Sequence, residues 1–118
     1  MAPTLLQVAG AEPLRNAHGR SLLPLLRGDT KGWRTSFLIE RFSDKTFPRV
    51  ADMGYQAVRT DRWKYIQYKE LSGMDELYDL REDPYEMRNL IHDAASQHIL
   101  AQMEQELRKV YDENSPVR

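Results

Sequence analysis

The sequence predicts an α+β fold of two layers, in which an antiparallel sheet of about four strands packs against one long C-terminal helix. Two observations carry this prediction. Short runs rich in aromatic and β-branched residues, separated by turn residues, recur between positions 36 and 80, and an apolar pattern with helical spacing fills positions 94 to 112. A chain of 118 residues has room for one modest core of this kind.

The composition excludes several classes of protein. Seventeen basic residues nearly balance 18 acidic ones, giving a net charge of −1, whereas a dedicated nucleic-acid binder is usually strongly basic. The absence of cysteine excludes a disulfide scaffold, a cysteine-based zinc site and a cysteine nucleophile. No apolar run reaches the roughly 18 residues of a membrane span, and the first residues lack the basic start of a signal peptide, so the sequence assigns no compartment.

The first 28 residues are rich in leucine and interrupted by proline and glycine. Pro3 suits the first turn of a short helix that Gly10 can end. Pro24 permits only a short second helix after Ser21, its predicted N-cap. Four leucines of this second helix need cover: Leu22, Leu23, Leu25 and Leu26. We expect them to be either mobile or buried in a partner chain, and a homo-oligomer formed through them is one such arrangement.

Four strands are predicted, at residues 36–42, 55–59, 63–68 and 76–80. The second and third are separated by a turn at Asp61-Arg62, and if this turn has two residues, Val58 lies opposite Tyr65. A three-residue turn changes the register, and the sequence leaves both open. Both faces of this hairpin are partly apolar, so both should be covered. One face carries Val58, Trp63 and Tyr65, and the other carries Tyr55, Ala57, Ile66 and Tyr68.

The last helix is predicted from residue 94 to about residue 112, with Asp93 as its N-cap. Glu104 and Arg108 are spaced for an ion pair along one side of this helix. The apolar positions at helical spacing are Ile99, Leu100, Met103, Leu107, Val110 and Tyr111.

Candidate catalytic and metal-binding groups are few. The three histidines are His18, His92 and His98. The last two, six positions apart, lie on different sides of any helix they share, and no HExxH spacing occurs, so no metal site is predicted. Ser21 does not lie in a G-x-S-x-G elbow. We expect three acidic residues near the fourth strand to be solvated: Asp75, Glu76 and Asp79.

Basic and aromatic residues alternate around the predicted hairpin turn. Four of them are candidates for contact with a ligand: Arg59, Arg62, Trp63 and Lys64. A face of this composition suits RNA or a sulfated glycan. The alternative is an ordinary cross-strand ladder whose cationic side chains cover the aromatic rings.

Four strings stand out by their order and spacing: PTLLQVAG at 3–10, HGRSLLPLLRG at 18–28, YQAVRTDRWKYIQY at 55–68 and ELYDLREDPYEMRNL at 76–90. Together they resemble the C-terminal part of sulfatases, which belong to the alkaline-phosphatase superfamily. The last string is the most specific, and the likeness is closest to bacterial sulfatases of the arylsulfatase, choline-sulfatase and heparan-sulfamidase type.

The resemblance implies a division of the chain. Residues 1–35 resemble the end of a large catalytic α/β domain and the segment that crosses from it, and residues 36–118 resemble the smaller α+β subdomain. The expected partner is therefore the sulfatase catalytic domain, which would cover the leucines near the N-terminus. The chain is expected to begin just after the catalytic half ends. Sulfatases of this type occur in the periplasm, outside the cell or in the cytoplasm.

The chain departs from the family in the residues that carry catalysis. Sulfatases use a formylglycine made from Cys or Ser in a C/S-x-P-x-R motif, and the nearest string here, at 114–118, has Asn114 in the nucleophile position. The calcium ligands of the family lie in segments that this chain does not contain. No catalytic, cofactor-binding or metal residue is therefore assigned. We expect a C-terminal fragment of a sulfatase, with a structural or substrate-rim role; the alternative is a free-standing module that binds a sulfated glycan or single-stranded nucleic acid.

Overall fold

The computed structural model of the chain describes residues 1–15, 17, 19–43 and 46–115, so His18 lies outside the described residues. The chain forms two compact units, Met1–Arg34 and Thr35–Arg118. The boundary predicted from the sequence lies one residue further on, and the assignment of residues 1–35 to the end of a catalytic domain stays a prediction. No helix within the described residues is both long and apolar enough to cross a membrane.

The first unit contains two short helices, α1 (Ala2–Val8) and α2 (Leu23–Leu26). They are tied together by Thr4, whose hydroxyl accepts a hydrogen bond from the Leu22 amide at 3.0 Å. The N-cap position of α2 is Leu22, one residue later than predicted, but the Ser21 hydroxyl still accepts from the amide of Leu23 at 3.2 Å. Leu26 is 76% exposed, and the other three leucines are partly buried, so this cluster is not covered within its own unit.

The second unit contains the sheet, and it confirms the predicted fold class. Its four strands are β1 (Ser36–Arg41), β2 (Tyr55–Thr60), β3 (Trp63–Tyr68) and β4 (Glu76–Asp79). They form an antiparallel meander in the order β1-β2-β3-β4. The turn at Asp61-Arg62 has two residues, and Val58 lies opposite Tyr65, as one of the two registers predicted. The turn is closed by the Thr60 hydroxyl, which accepts from the Trp63 amide at 2.9 Å.

One face of the sheet packs against the long helix α3 (Gln97–Asn114). This helix-covered face forms the main core, which contains Val58, Tyr65, Leu77, Met103, Leu107 and Val110. The three helix residues in that set are spaced at four and three positions, which places them on one side of α3. The predicted amphipathic helix is therefore confirmed, and it is the second layer of the fold.

The start of the helix differs from the prediction. A 3₁₀ turn occupies Ala94–Ser96, and the α-helix begins only at Gln97 with Ser96 as its N-cap. Asp93 is the N-cap residue of the 3₁₀ turn, and its carboxylate accepts from the Ser96 hydroxyl at 2.6 Å instead of from a backbone amide.

The predicted ion pair between Glu104 and Arg108 is wrong, because the described residues show none between them. Glu106 is the residue that anchors the helix: its carboxylate pairs with Lys109 at 3.5 Å and accepts from the Ser36 hydroxyl of β1 at 2.6 Å.

The opposite face of the sheet, here called the outer face, is also apolar, as predicted. Its buried residues are Ala57, Ile66 and Tyr78, with Ile39, Tyr55, Tyr68 and Leu80 packed against them. Tyr55 and Tyr68 meet edge to face with ring centroids 5.9 Å apart.

Candidate functional site

The hairpin turn between β2 and β3 is clamped onto the end of β4. The Arg62 guanidinium donates to both carboxylate oxygens of Asp79, from Nε at 3.0 Å and from Nη2 at 2.7 Å. The Arg62 carbonyl accepts from the Leu80 amide at 2.7 Å. The same guanidinium lies 5.0 Å from the centre of the Trp63 ring. Two-point bonding and ring contact together fix the direction of this arginine.

Asp79 is 6% exposed, so the prediction that it is solvated is wrong. The hydrogen bonds from Arg62 lower the pKa of Asp79, and burial opposes them only in part. The bonds to Asp79 likewise raise the pKa of Arg62. Both members of the pair are therefore charged over the ordinary pH range. Arg62 is bonded to a carboxylate of its own chain and is not left free to bind an external anion.

Trp63 lies against Arg62, but Lys64 and Arg59 do not share a surface with that pair. Trp63 packs against the core on the helix-covered face. Lys64 points to the outer face, where its ammonium pairs with Glu86 at 2.5 Å. Arg59 is exposed and lies opposite Lys64 across the hairpin. Two of the three cations thus have carboxylate partners within the chain. This arrangement matches the cross-strand ladder, and contact of these residues with a ligand stays a prediction.

Two further carboxylates that were predicted to be solvated are hydrogen-bonded inside the fold. Asp75 accepts from the Tyr65 hydroxyl at 3.1 Å and from the Tyr68 amide at 3.0 Å. Glu76 accepts from the hydroxyls of Tyr68 and Tyr78, at 2.9 and 2.8 Å. Burial and the neighbouring Glu76 charge raise the pKa of Tyr78 to about 12, and burial is also the main cause that raises the pKa of Tyr65. These phenols are donors in a fixed network and not proton-transfer groups near neutral pH.

The string at 76–90 folds back along the edge of β4. The Asn89 side-chain oxygen accepts from the amides of Leu77 and Ile91, both at 3.0 Å, and its nitrogen donates to the Asp75 carbonyl at 3.1 Å. The Leu90 amide donates to the Leu77 carbonyl at 2.8 Å. The string at 76–90 therefore supplies hydrogen-bond partners for the backbone groups at the edge of β4 and covers that edge.

Glu86 lies at the tip of this loop with φ of 57°, a conformation that favours glycine. It is held there by its pair with Lys64 and by a bond from its amide to the Asp83 carbonyl at 3.1 Å. The Asp83 carboxylate accepts from the Arg88 amide at 2.7 Å, which closes the loop. The polar groups of this loop therefore bond to other residues of the same chain.

Groups that could hold a metal ion or attack a substrate are not assembled in the part of the chain that the structure describes. No three His, Asp or Glu side chains converge there as metal ligands would. His92 and His98 are exposed. The geometry shown by this chain can brace a structure and cover a sheet, but its described residues do not form a nucleophile with an oriented base.

Comparison with known proteins identifies the family of this chain. Residues 1–113 match the family described as N-sulphoglucosamine sulphohydrolase, C-terminal. The Δ4,5-hexuronate-2-O-sulfatase of Bacteroides thetaiotaomicron is 34% identical over 102 residues, which are 86% of this chain and 21% of that protein. Arylsulfatase K of Gallus gallus is 36% identical over 95 residues, 75% of this chain and 17% of that protein.

A solved structure has the same fold. The structure of BT4656 in complex with its substrate D-glucosamine-2-N,6-O-disulfate superimposes with a TM-score of 0.85 at 25% identity, over 96% of this chain and 23% of that one. The chain thus spans about a fifth of the length of the curated relatives it matches. With the family match over nearly all of its length, the chain belongs to the C-terminal domains of the N-sulphoglucosamine sulphohydrolase type, within the sulfatases of the alkaline-phosphatase superfamily.

Proposed function

We propose that this chain is the bracing C-terminal domain of a sulfatase that hydrolyses sulfate esters or sulfamates on sugars. The observation that carries the proposal is the family match over residues 1–113 in a chain that has no cysteine and no C/S-x-P-x-R motif. The chemistry would then belong to a catalytic domain outside the matched region, and this domain would support it.

The substrate class follows from the names of the relatives. One similar protein is a hexuronate 2-O-sulfatase, and another was solved with a glucosamine carrying N- and 6-O-sulfate groups. Both act on sulfated sugar units. We infer the same class for the parent of this chain, while the position of the sulfate group would depend on loops of the catalytic domain.

Calcium and formylglycine, which the family resemblance implies, do not fit the residues present here. The described residues bring no three His, Asp or Glu side chains together, and the sequence has no C/S-x-P-x-R motif for conversion. Both groups would therefore be held by the catalytic domain, and no step of the reaction is assigned to this chain.

The partner we propose for the leucines of the first unit is that catalytic domain. Leu26 is 76% exposed and lies beside three partly buried leucines, an apolar patch that isolated soluble domains seldom leave open. BT4656 carries about three-quarters of its length outside the region aligned with this chain, which is enough for a large domain to cover such a patch. A homo-oligomer of the isolated chain would use the same leucines when that domain is absent.

The test is a domain exchange. The matched C-terminal fifth of the Bacteroides thetaiotaomicron Δ4,5-hexuronate-2-O-sulfatase is replaced by this chain, and sulfate release from that enzyme's own substrate is measured with calcium present. We expect turnover by the exchanged protein and none by the truncated enzyme or by the 118-residue chain alone.

Two outcomes would contradict the proposal. Turnover by the chain alone would show that it carries catalysis itself. A folded exchanged protein with no more activity than the truncated enzyme would show that the chain cannot brace a sulfatase catalytic domain. Reading the genomic sequence upstream of Met1 for an in-frame C/S-x-P-x-R motif is an independent check on the same proposal.

A further inference from the structure

A small cleft opens in the second unit between α3 and the helix-covered face of the sheet. It lies beside the row where Gln56 of β2 pairs with Gln67 of β3. The residues that line it come from three elements: Gln56, Tyr65, Gln67, Glu104, Leu107, Arg108 and Tyr111. This cleft is separate from the hairpin clamp, and the bracing role proposed above does not use it.

Two buried side chains close the bottom of the cleft. Tyr65 and Leu107 are both buried, with exposed fractions of 1% and 4%. The Tyr65 hydroxyl is held by Asp75 at 3.1 Å, which fixes the ring. Tyr111, on the last turns of the helix, is 40% exposed at the cleft and offers an aromatic surface there. The exposed ring of Tyr111 can stack on the C–H face of a small cyclic ligand.

The walls carry hydrogen-bonding groups that the fold leaves unused. Glu104 is half-buried and Arg108 is exposed, and within the described residues neither side chain makes a hydrogen bond or an ion pair. Gln67 is exposed on the neighbouring strand, and its side chain interacts with the Tyr65 hydroxyl. A carboxylate acceptor and a guanidinium donor are therefore free at the cleft, and the Gln67 amide lies in the same lining.

Mixed donors and acceptors fit hydroxyl groups, because each hydroxyl both donates and accepts. A sulfate or carboxylate would find one positive group in the cleft, Arg108, but would meet two negative ones, Glu104 in the lining and Asp75 behind Tyr65. We propose that this cleft is an accessory site for an uncharged pyranose unit of a glycan, distinct from any site for a sulfated sugar. This inference does not depend on the sulfatase activity proposed above.

The test is a titration of the 118-residue chain with methyl N-acetylglucosaminide, followed by amide chemical shifts in ¹H–¹⁵N spectra. We expect saturable shifts at Gln67, Glu104, Arg108 and Tyr111, with a Kd on the order of 1 mM, since a single sugar ring makes few contacts. Glu104→Ala and Arg108→Ala should each weaken binding by about tenfold, because each removes a charged hydrogen-bond partner. D-glucosamine-2-N,6-O-disulfate should bind more weakly than the neutral sugar.

Gln105→Ala is the matched control, since Gln105 is an exposed residue of the same helix outside the cleft. It should leave the Kd unchanged, and circular dichroism checks that all three variants keep the fold. Shifts that fail to saturate, shifts centred elsewhere, tighter binding of the disulfated sugar, or unchanged affinity in folded Glu104→Ala and Arg108→Ala proteins would each overturn the site. None of these results bears on the domain exchange.

Discussion

The two units of the chain contain seven leucines each, yet they differ in what they bury. In the described residues, every buried apolar side chain lies in the second unit, and the one buried residue of the first unit is Thr4. The helices of the first unit have seven and four residues, whereas α3 has 18 and lies across a four-stranded sheet. Apolar content alone therefore does not make a core; an element must be long enough to present a continuous face to another layer.

The difference extends to polar groups. Every ion pair shown by the described residues lies in the second unit, and so do the paired carboxylates of the β4 region. The first unit is held by single hydrogen bonds, such as that from the Leu22 amide to Thr4. Mutations should therefore act unequally on the two units, and the following experiments measure by how much.

The largest expected effect comes from the core of the second unit. Leu77→Ala removes a side chain with 0% exposure that packs in the main core, and we expect it to lower the free energy of unfolding by about 2–5 kcal/mol. Leu26→Ala is the matched control in the first unit, and because Leu26 is 76% exposed its effect should stay within about 0.5 kcal/mol.

Urea unfolding of both variants, followed by circular dichroism, measures the two values. Equal losses of unfolding free energy in Leu77→Ala and Leu26→Ala would contradict this difference between the units, because the leucines of α2 would then stabilise the chain as much as the core does.

The second effect concerns the edge of β4. Asn89→Ala removes the acceptor of the Leu77 and Ile91 amides, and we expect a loss of about 1–3 kcal/mol. Asn89→Asp keeps an acceptor oxygen for both amides but sets a second oxygen against the Asp75 carbonyl, so it should recover only part of the loss. Amide hydrogen exchange at Leu77 and Ile91 reports the change locally. If the Leu77 and Ile91 amides exchanged no faster in Asn89→Ala than in the parent, the hydrogen bonds that Asn89 accepts from them would not contribute to stability.

Local sequence pattern was enough to predict the sheet. Side chains alternate with a period of two, so the apolar sets on either side of Asp61-Arg62 determine which residues meet, once the turn length is known. The helix was predictable for the same reason, with a period of 3.6. Its start was not, because Asp93 and Ser96 are both good N-caps three residues apart, and the chain uses one for the 3₁₀ turn and the other for α3.

The polar contacts were not predictable, because their partners are distant in the sequence. Arg62 meets Asp79 17 residues later, and Tyr65 meets Asp75 10 residues later, and only the meander brings them together. Charged residues on a strand are usually solvated, so the general rule favoured the wrong interpretation. The cleft was missed for the same reason, since β2, β3 and α3 each supply part of it.

The third effect is a difference in response to acid. The pKa of Asp79 is lowered in the folded chain, so this carboxylate contributes stability above its unfolded pKa of about 3.9 and loses that contribution as the pH falls through its folded value. We expect urea stability to fall on acidification below about pH 4, and to fall less in Asp79→Asn, which is less stable than the parent at pH 7.

The matched control for this acid response is Asp61→Asn. Asp61 pairs with Arg81 at 3.8 Å, but its side chain is 97% exposed, so the substitution should leave both the stability at pH 7 and its acid dependence nearly unchanged. An acid dependence that survives intact in Asp79→Asn would show that the Arg62–Asp79 pair is not its source.

The smallest expected effect is in the first unit. Thr4→Val keeps the shape of the side chain but removes the oxygen that accepts from the Leu22 amide, and we expect a local loss of about 1 kcal/mol. Hydrogen exchange at Leu22 should then become about fivefold faster. Thr4→Ser keeps the hydroxyl and should preserve the protection of that amide. If the serine variant exchanged as fast as the valine variant, the methyl group of Thr4 and not its hydroxyl would join α1 to α2, and the first unit would rest on apolar packing after all.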